Sequence, residues 1–101
     1  MNIRIDYIDT TLVVKLSGEI DQSCASEIRS DIDREIQLKN VKNLIFDFGG
    51  VTFMDSSGIG VILGRYKQIK ARGGKTMIVR PQPQVDKILE LSGLKKKMDC
   101  S

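Results

Sequence analysis

The stretch NLIFDFGGVTFMDSSGIGVILGRYKQIKAR, residues 43–72, changes character half-way along. NLIFDF is a β-branched and aromatic run of the kind that fills a buried central strand, and Gly49-Gly50 is expected to close it. From MDSSGIG (54–60) onward the apolar residues recur at helical spacing. Ile59, Ile62, Leu63, Tyr66 and Ile69 form a stripe, with Arg65, Lys67, Lys70 and Arg72 largely outside it. A strand that passes into a helix is half of a strand–helix–strand unit, so this segment decides the fold class. Gly60 and Gly64 lie four residues apart on one helix face. Each disfavours the helix by about 1 kcal/mol relative to Ala, and close packing against a sheet is expected to compensate.

The rest of the chain extends the pattern in both directions. NIRIDYI places Ile3, Ile5 and Tyr7 on one face, and TLVVKLSG follows after a short break, which predicts a hairpin. In GEIDQSCASEIRSDIDREIQLKN, Ala25, Ile28, Ile32 and Ile36 mark a helix that Asp21 or Ser23 can cap, with Glu27 as a favourable first-turn charge. Gly73-Gly74 stops the second helix and KTMIVR is a further strand. Pro83 starts a third helix carrying Val85, Ile88, Leu89 and Leu91, and Gly93 ends it. The order β-β-α-β-α-β-α predicts one α/β domain over residues 1–101, with a mixed, partly parallel sheet and helices on its surface.

Composition narrows the function classes. With 41% hydrophobic and 29% charged residues the chain reads as a soluble globular domain. The net charge of +3 is unevenly spread: residues 1–55 hold six Lys/Arg against ten Asp/Glu, and residues 56–101 hold ten against three. A basic half of this kind suits an acidic protein surface, a nucleotide phosphate or nucleic acid, or is simply a solvated helix face. LKKK (94–97) has no interleaved aromatics and is expected to be a solvated end with no direct nucleic-acid contact. Histidine is absent, which removes Ser-His-Asp and Cys-His catalysis and most zinc sites. Cys24 and Cys100 form no CxxC pair; the first is expected to be a small half-buried helix residue and the second to be mobile. The alternating N-terminus is no secretory signal and no stretch is long enough to span a bilayer, so a reduced, cytoplasmic setting without a membrane is expected.

Most motifs fail when tested for chemistry. GGKT (73–76) would need a glycine where Ile69 stands and a helix where MIVR follows, so it is no P-loop. GIGVILG (58–64) sets its third glycine one residue late for a dinucleotide fingerprint. Met54 stands where a nucleophile elbow would need glycine. Asp6, Asp9, Glu19, Asp21, Asp47 and Asp55 fit turns, caps and exposed strand positions better than acid–base pairs. There remains Asp55-Ser56-Ser57, three helix-cap candidates where one suffices. A phosphate on a serine there would meet unpaired N–H groups and the positive end of the helix dipole, with repulsion from Asp55 against it.

FMDSSGIGVILGRYKQIK (53–70) resembles the central motif of anti-sigma factor antagonists of the STAS domain family, in their sporulation type. VVKLSGEID (13–21) resembles the family's second strand and following loop, and LSGL (91–94) its third-helix ending. These pieces keep the family's order and spacing over nearly the whole chain. The resemblance implies a non-enzymatic protein without cofactor or metal. Its unphosphorylated form would bind an anti-sigma factor that is also a serine kinase, and so release a sporulation sigma factor. It further implies phosphorylation at Ser56, reversal by a serine phosphatase, and a partner-binding surface that includes Asp21, Asp55, Ser56, Ser57 and Gly58 of a chain that is monomeric when free. Ser57 is expected to cap or to be buried. Family members continue past LSGL through another strand and a final helix, which are expected to be short or missing here. The alternatives are a general-stress antagonist or other STAS signalling module, and, in a different class, a nucleotide-binding domain.

Overall fold

The computed structural model describes residues 1–100. Strand β1 (Asn2–Ile8) turns through Asp9-Thr10 into β2 (Thr11–Ile20), with Asp9 in the left-handed region at φ 56°. Helix α1 (Gln22–Leu38), strand β3 (Asn43–Met54), helix α2 (Ser56–Ala71), strand β4 (Thr76–Val79) and helix α3 (Pro83–Leu91) follow. A 3₁₀ turn (Leu94–Lys96) leads to β5 (Asp99–Cys100). The sheet order is β1-β2-β3-β4-β5, with β1 antiparallel to β2 and every later pair parallel. The α/β class, the mixed sheet and the first seven elements match the expectation from the sequence.

Alternation along the strands makes one face of the sheet the core. Leu12, Val14 and Leu16 of β2, Leu44, Phe46 and Phe48 of β3, and Ile78 of β4 are buried. The buried residues of the helices join the same cluster, among them the expected Ala25, Ile28, Ile32 and Ile36 of α1. Such burial is the main favourable contribution to folding, about 1.5–3 kcal/mol for each large aliphatic side chain.

Five features depart from the sequence reading. Strand β3 does not stop at Gly49-Gly50 but runs on to Met54. The glycines let neighbours approach a bulged segment: a Cβ on Gly49 would lie 2.7 Å from the Arg80 guanidinium, and one on Gly50 2.7 Å from Ser17 Cβ. The buried face of α2 is rotated from the expected stripe. Gly58, Val61, Ile62, Arg65 and Ile69 are buried, whereas Ile59, Leu63 and Tyr66 are only half-buried. The rotation follows from α1 packing beside α2, where the Arg65 Nε lies 3.1 Å from Asp33 Oδ1. Glu27 falls outside the first turn of α1, and Leu91 is 78% exposed because α3 buries only Val85 and Leu89. The chain's last described residues form β5: Leu94 and Met98 are buried, Lys95 pairs with Asp86 at 2.7 Å, and Cys100 is half-buried in the strand, with its thiol pKa pushed up by burial.

Candidate functional site

The parallel strands β2 and β3 end side by side, because Ile20 is in register with Met54 and the Asp55 N–H donates to the Ile20 carbonyl at 3.2 Å. Each strand then delivers an aspartate that caps a helix. Asp21 caps α1, accepting from the Ser23 backbone N–H at 3.0 Å and from the Ser23 hydroxyl. Asp55 caps α2, accepting from the Ser57 N–H at 2.8 Å. Hydrogen bonds from the Ser23 hydroxyl and backbone hold the Asp21 carboxyl below the usual carboxylate range. The carboxyl ends of adjacent parallel strands are where α/β folds expose their functional groups, and Asp21 and Asp55 leave that edge one strand apart, about 5 Å by sheet spacing.

Once Asp55 takes the cap, the two serines part company. Ser56 is the first residue of α2, exposed, and its hydroxyl has no protein partner among the described residues. Ser57 is half-buried and contributes its amide, not its hydroxyl, to the cap, so the expected capping role belongs to Asp55. Gly58 is buried against the strand ends: a Cβ there would lie 2.5 Å from Met54 Cγ and 3.2 Å from Ile20 Cγ2. The absence of a side chain at this position lets the first turn of α2 sit directly on the edge of the sheet and aim Ser56 outward.

Ser56 lies next to an acidic rim. Asp55 precedes it, Asp21 stands on the neighbouring strand end, and Glu19 is exposed two residues before Asp21. Phe53, in register with Glu19, is 46% exposed, a large aromatic presented two residues before the Asp55 cap. Sequence reasoning passed over Phe53, although an aromatic directly before the motif on an alternating strand was a usable signal. It also passed over the clamp that steadies this end of β3. The Arg80 Nε and Nη2 atoms donate to the two oxygens of Asp47 at 3.1 and 3.0 Å, and the Gln82 and Gln84 side chains donate to the Gly49 and Thr52 carbonyls. Asp47 is thus a buried partner of Arg80, not an exposed strand carboxylate.

Comparison with known proteins follows the same lines. The family model described as STAS domain matches residues 2–101. The anti-sigma F factor antagonist of Paenibacillus polymyxa is 38% identical over 98 residues, which cover 97% of this chain and 84% of the relative. The solved structure of the anti-sigma factor antagonist SpoIIAA in its unphosphorylated form superposes with a TM-score of 0.88 at 34% identity, covering 99% of this chain and 88% of that one. The Bacillus cell fate determinant SpoIIAA in the phosphorylated form superposes with a TM-score of 0.79 at 33% identity, covering 99% and 91%.

Proposed function

The chain belongs to the STAS domain family, and from that membership we propose that it is an anti-sigma factor antagonist whose binding is switched off by phosphorylation of Ser56. In this reading it is a regulatory protein, not an enzyme. The unmodified chain docks an anti-sigma factor that is also a serine kinase, and a sporulation sigma factor is set free. The kinase marks Ser56 and a serine phosphatase removes the mark. The observation that carries the reading is the contrast at the start of α2: Asp55 already caps the helix, which leaves the exposed Ser56 hydroxyl unengaged. That similar proteins were solved both without and with phosphate supports a fold that tolerates the modification.

The chemistry of the switch follows from the rim. A phosphoserine carries about −1.5 to −2 charges at neutral pH, and here it would stand beside Asp55 and one strand from Asp21. Helix α2 offers its N-terminal dipole to the phosphate, so the monomer accepts the group. A partner that must desolvate the phosphate together with two carboxylates is disfavoured. A loss of about 2–3 kcal/mol weakens a complex roughly 30- to 150-fold, enough to reverse a competition for the anti-sigma factor.

Incubation with the cognate anti-sigma kinase and ATP, followed by phosphosite mapping and calorimetry, tests the proposal. Phosphate on Ser56 and weaker binding of the phosphorylated chain are expected. Ser56→Asp should impair binding, and Ser56→Ala should bind yet resist phosphorylation. Mapping to Ser57 alone would overturn the residue assignment, and equal affinity of both forms would overturn the mechanism. The nucleotide-domain alternative gains no support from GGKT, since Gly73-Gly74 is the turn from α2 into β4 and a strand, not a helix, follows it directly.

A further inference from the structure

A five-stranded sheet has two edges, and this one leaves them in different states. The β5 edge is two residues long and lies just after Lys95, Lys96 and Lys97. Shortness and lysines are ordinary protections of an edge against pairing with another chain. The β1 edge has neither. It runs for seven residues, Asn2–Ile8, in unbroken register with β2, and contains no proline, glycine, lysine or bulge. No further strand stands on its outer side among the described residues. Every second residue of an antiparallel edge strand turns its N–H and C=O outward, so β1 presents a row of unpaired backbone groups.

The side chains of β1 define what that row can accept. Ile3, Ile5 and Tyr7 are half-buried against the core on one face of the strand. Arg4 and Asp6 stand on the other face, with Arg4 Nε 3.3 Å from Asp6 Oδ2 and the two side chains 73% and 38% exposed. Charges on an edge strand usually repel a second copy. Opposite charges two positions apart do the reverse. A two-fold axis through Ile5 sets Arg4 of each copy directly across from Asp6 of the other, with Ile5 on Ile5 and Ile3 on Tyr7. Each carboxylate is then flanked by one guanidinium along its own strand and a second across the pair.

Other two-fold registers fail. An axis through Arg4 sets Arg4 against Arg4, and one through Asp6 sets Asp6 against Asp6. An axis between residues turns the outward backbone groups of one copy toward residues already engaged with β2. Axes farther out pair less than half of the strand.

We propose that two copies of this chain join through antiparallel β1 strands centred on Ile5, with Arg4 and Asp6 fixing the register. Main-chain hydrogen bonds hold the pair, and opposite-charge and aromatic–β-branched cross-strand contacts add to them. A seven-residue edge is a small interface, so the dimer is concentration-dependent, where the family resemblance implies a free monomer. The antiparallel join directs the two Ser56 ends in opposite directions, and both stay open to a partner.

The test is sedimentation equilibrium of the whole chain from micromolar to millimolar concentration. A monomer–dimer equilibrium that weakens as salt rises is expected. Arg4→Asp and Asp6→Arg, each alone, set like charges across the pair and should raise the dimer dissociation constant about tenfold or more. An equimolar mixture of the two variants restores both opposite-charge pairs and should recover the dimer, which a variant that failed to fold could not do. The double variant Arg4→Asp/Asp6→Arg keeps every pair with its signs exchanged and should dimerise as the wild type does. A chain that stays monomeric at millimolar concentration would overturn the proposal and leave the edge to a strand of another protein. Dimerisation unchanged in both single variants, or absent from their mixture, would overturn it equally.

Discussion

Ser56, Ser57 and Gly58 are consecutive, and the helix start gives each a different task. Ser56 points out with an unengaged hydroxyl, Ser57 lends an amide to Asp55, and Gly58 admits the strand ends. Asp55→Ala removes the cap and should lower stability by about 1 kcal/mol, whereas Ser57→Ala leaves that bond intact. Gly58→Ala is expected to be the more damaging change. Its methyl would meet Met54 Cγ and Ile20 Cγ2 in a closed contact, and overpacking of this kind destabilises by about 1–3 kcal/mol. Urea denaturation of the three variants should give the order Gly58→Ala, Asp55→Ala, Ser57→Ala from most to least destabilised. A Gly58→Ala protein as stable as the wild type would show that the helix start can lift off the sheet.

At the scale of the element, α2 shows where a sequence pattern can mislead. The apolar stripe gave the helix and its length, because Ile59, Ile62, Tyr66 and Ile69 do recur at helical spacing. It could not give the rotation, which depends on α1 lying alongside and on Asp33 being there to receive Arg65. Nor do Gly60 and Gly64 pack against the sheet as the spacing predicts: among the described residues, a Cβ at either position would meet nothing within 4 Å beyond the adjoining helix backbone. They stand four and eight residues beyond Ser56, on the same helix face. Gly60→Ala and Gly64→Ala should therefore stabilise the isolated protein by about 0.5–1 kcal/mol each, through the backbone entropy of the unfolded chain. If that bare face takes part in docking, the same changes should weaken the anti-sigma complex. A rise in melting temperature with unchanged affinity would place the partner elsewhere. The α1–α2 contact makes a second prediction. Arg65 is 6% exposed, burial lowers its pKa, and its Nε and Nη1 lack well-directed hydrogen bonds despite the nearby Asp33. Arg65→Met should thus be neutral or stabilising, while Asp33→Ala, which leaves the cation buried alone, should destabilise by about 3 kcal/mol or more. Equal losses in thermal melts of the two variants would mean that the ion pair itself holds the helices together.

For the whole molecule, what was legible was local and what was not was distant. Strand alternation, caps and glycine stops are written within a few residues, so the element order and the Asp55-Ser56-Ser57 site could be read from the chain. The two-residue β5 carries too little pattern to be read, and no periodicity joins Asp47 to Arg80, 33 positions away. Yet that distant pair ties β3 to the segment after β4, and it contributes to the response of the fold to acid. Burial alone would raise the Asp47 pKa, but the Arg80 hydrogen bonds, the Gly49 amide and the charges of Arg80 and Lys15 outweigh it and hold the carboxyl below its usual value. Asp21 is shifted in the same direction by Ser23. A carboxyl whose pKa is lower in the folded than in the unfolded state binds its proton first in the unfolded chain. Its stabilisation is complete above the unfolded pKa, about 3.9, and is lost as the pH falls through the lower folded value. The melting temperature should accordingly change little through this contribution down to about pH 5 and fall steadily below about pH 4. Asp47→Asn should start lower at neutral pH, since the Arg80 ion pair is gone, and should lose less on acidification than the wild type. Parallel acid limbs for the two proteins would move the acid sensitivity away from the Asp47–Arg80 clamp.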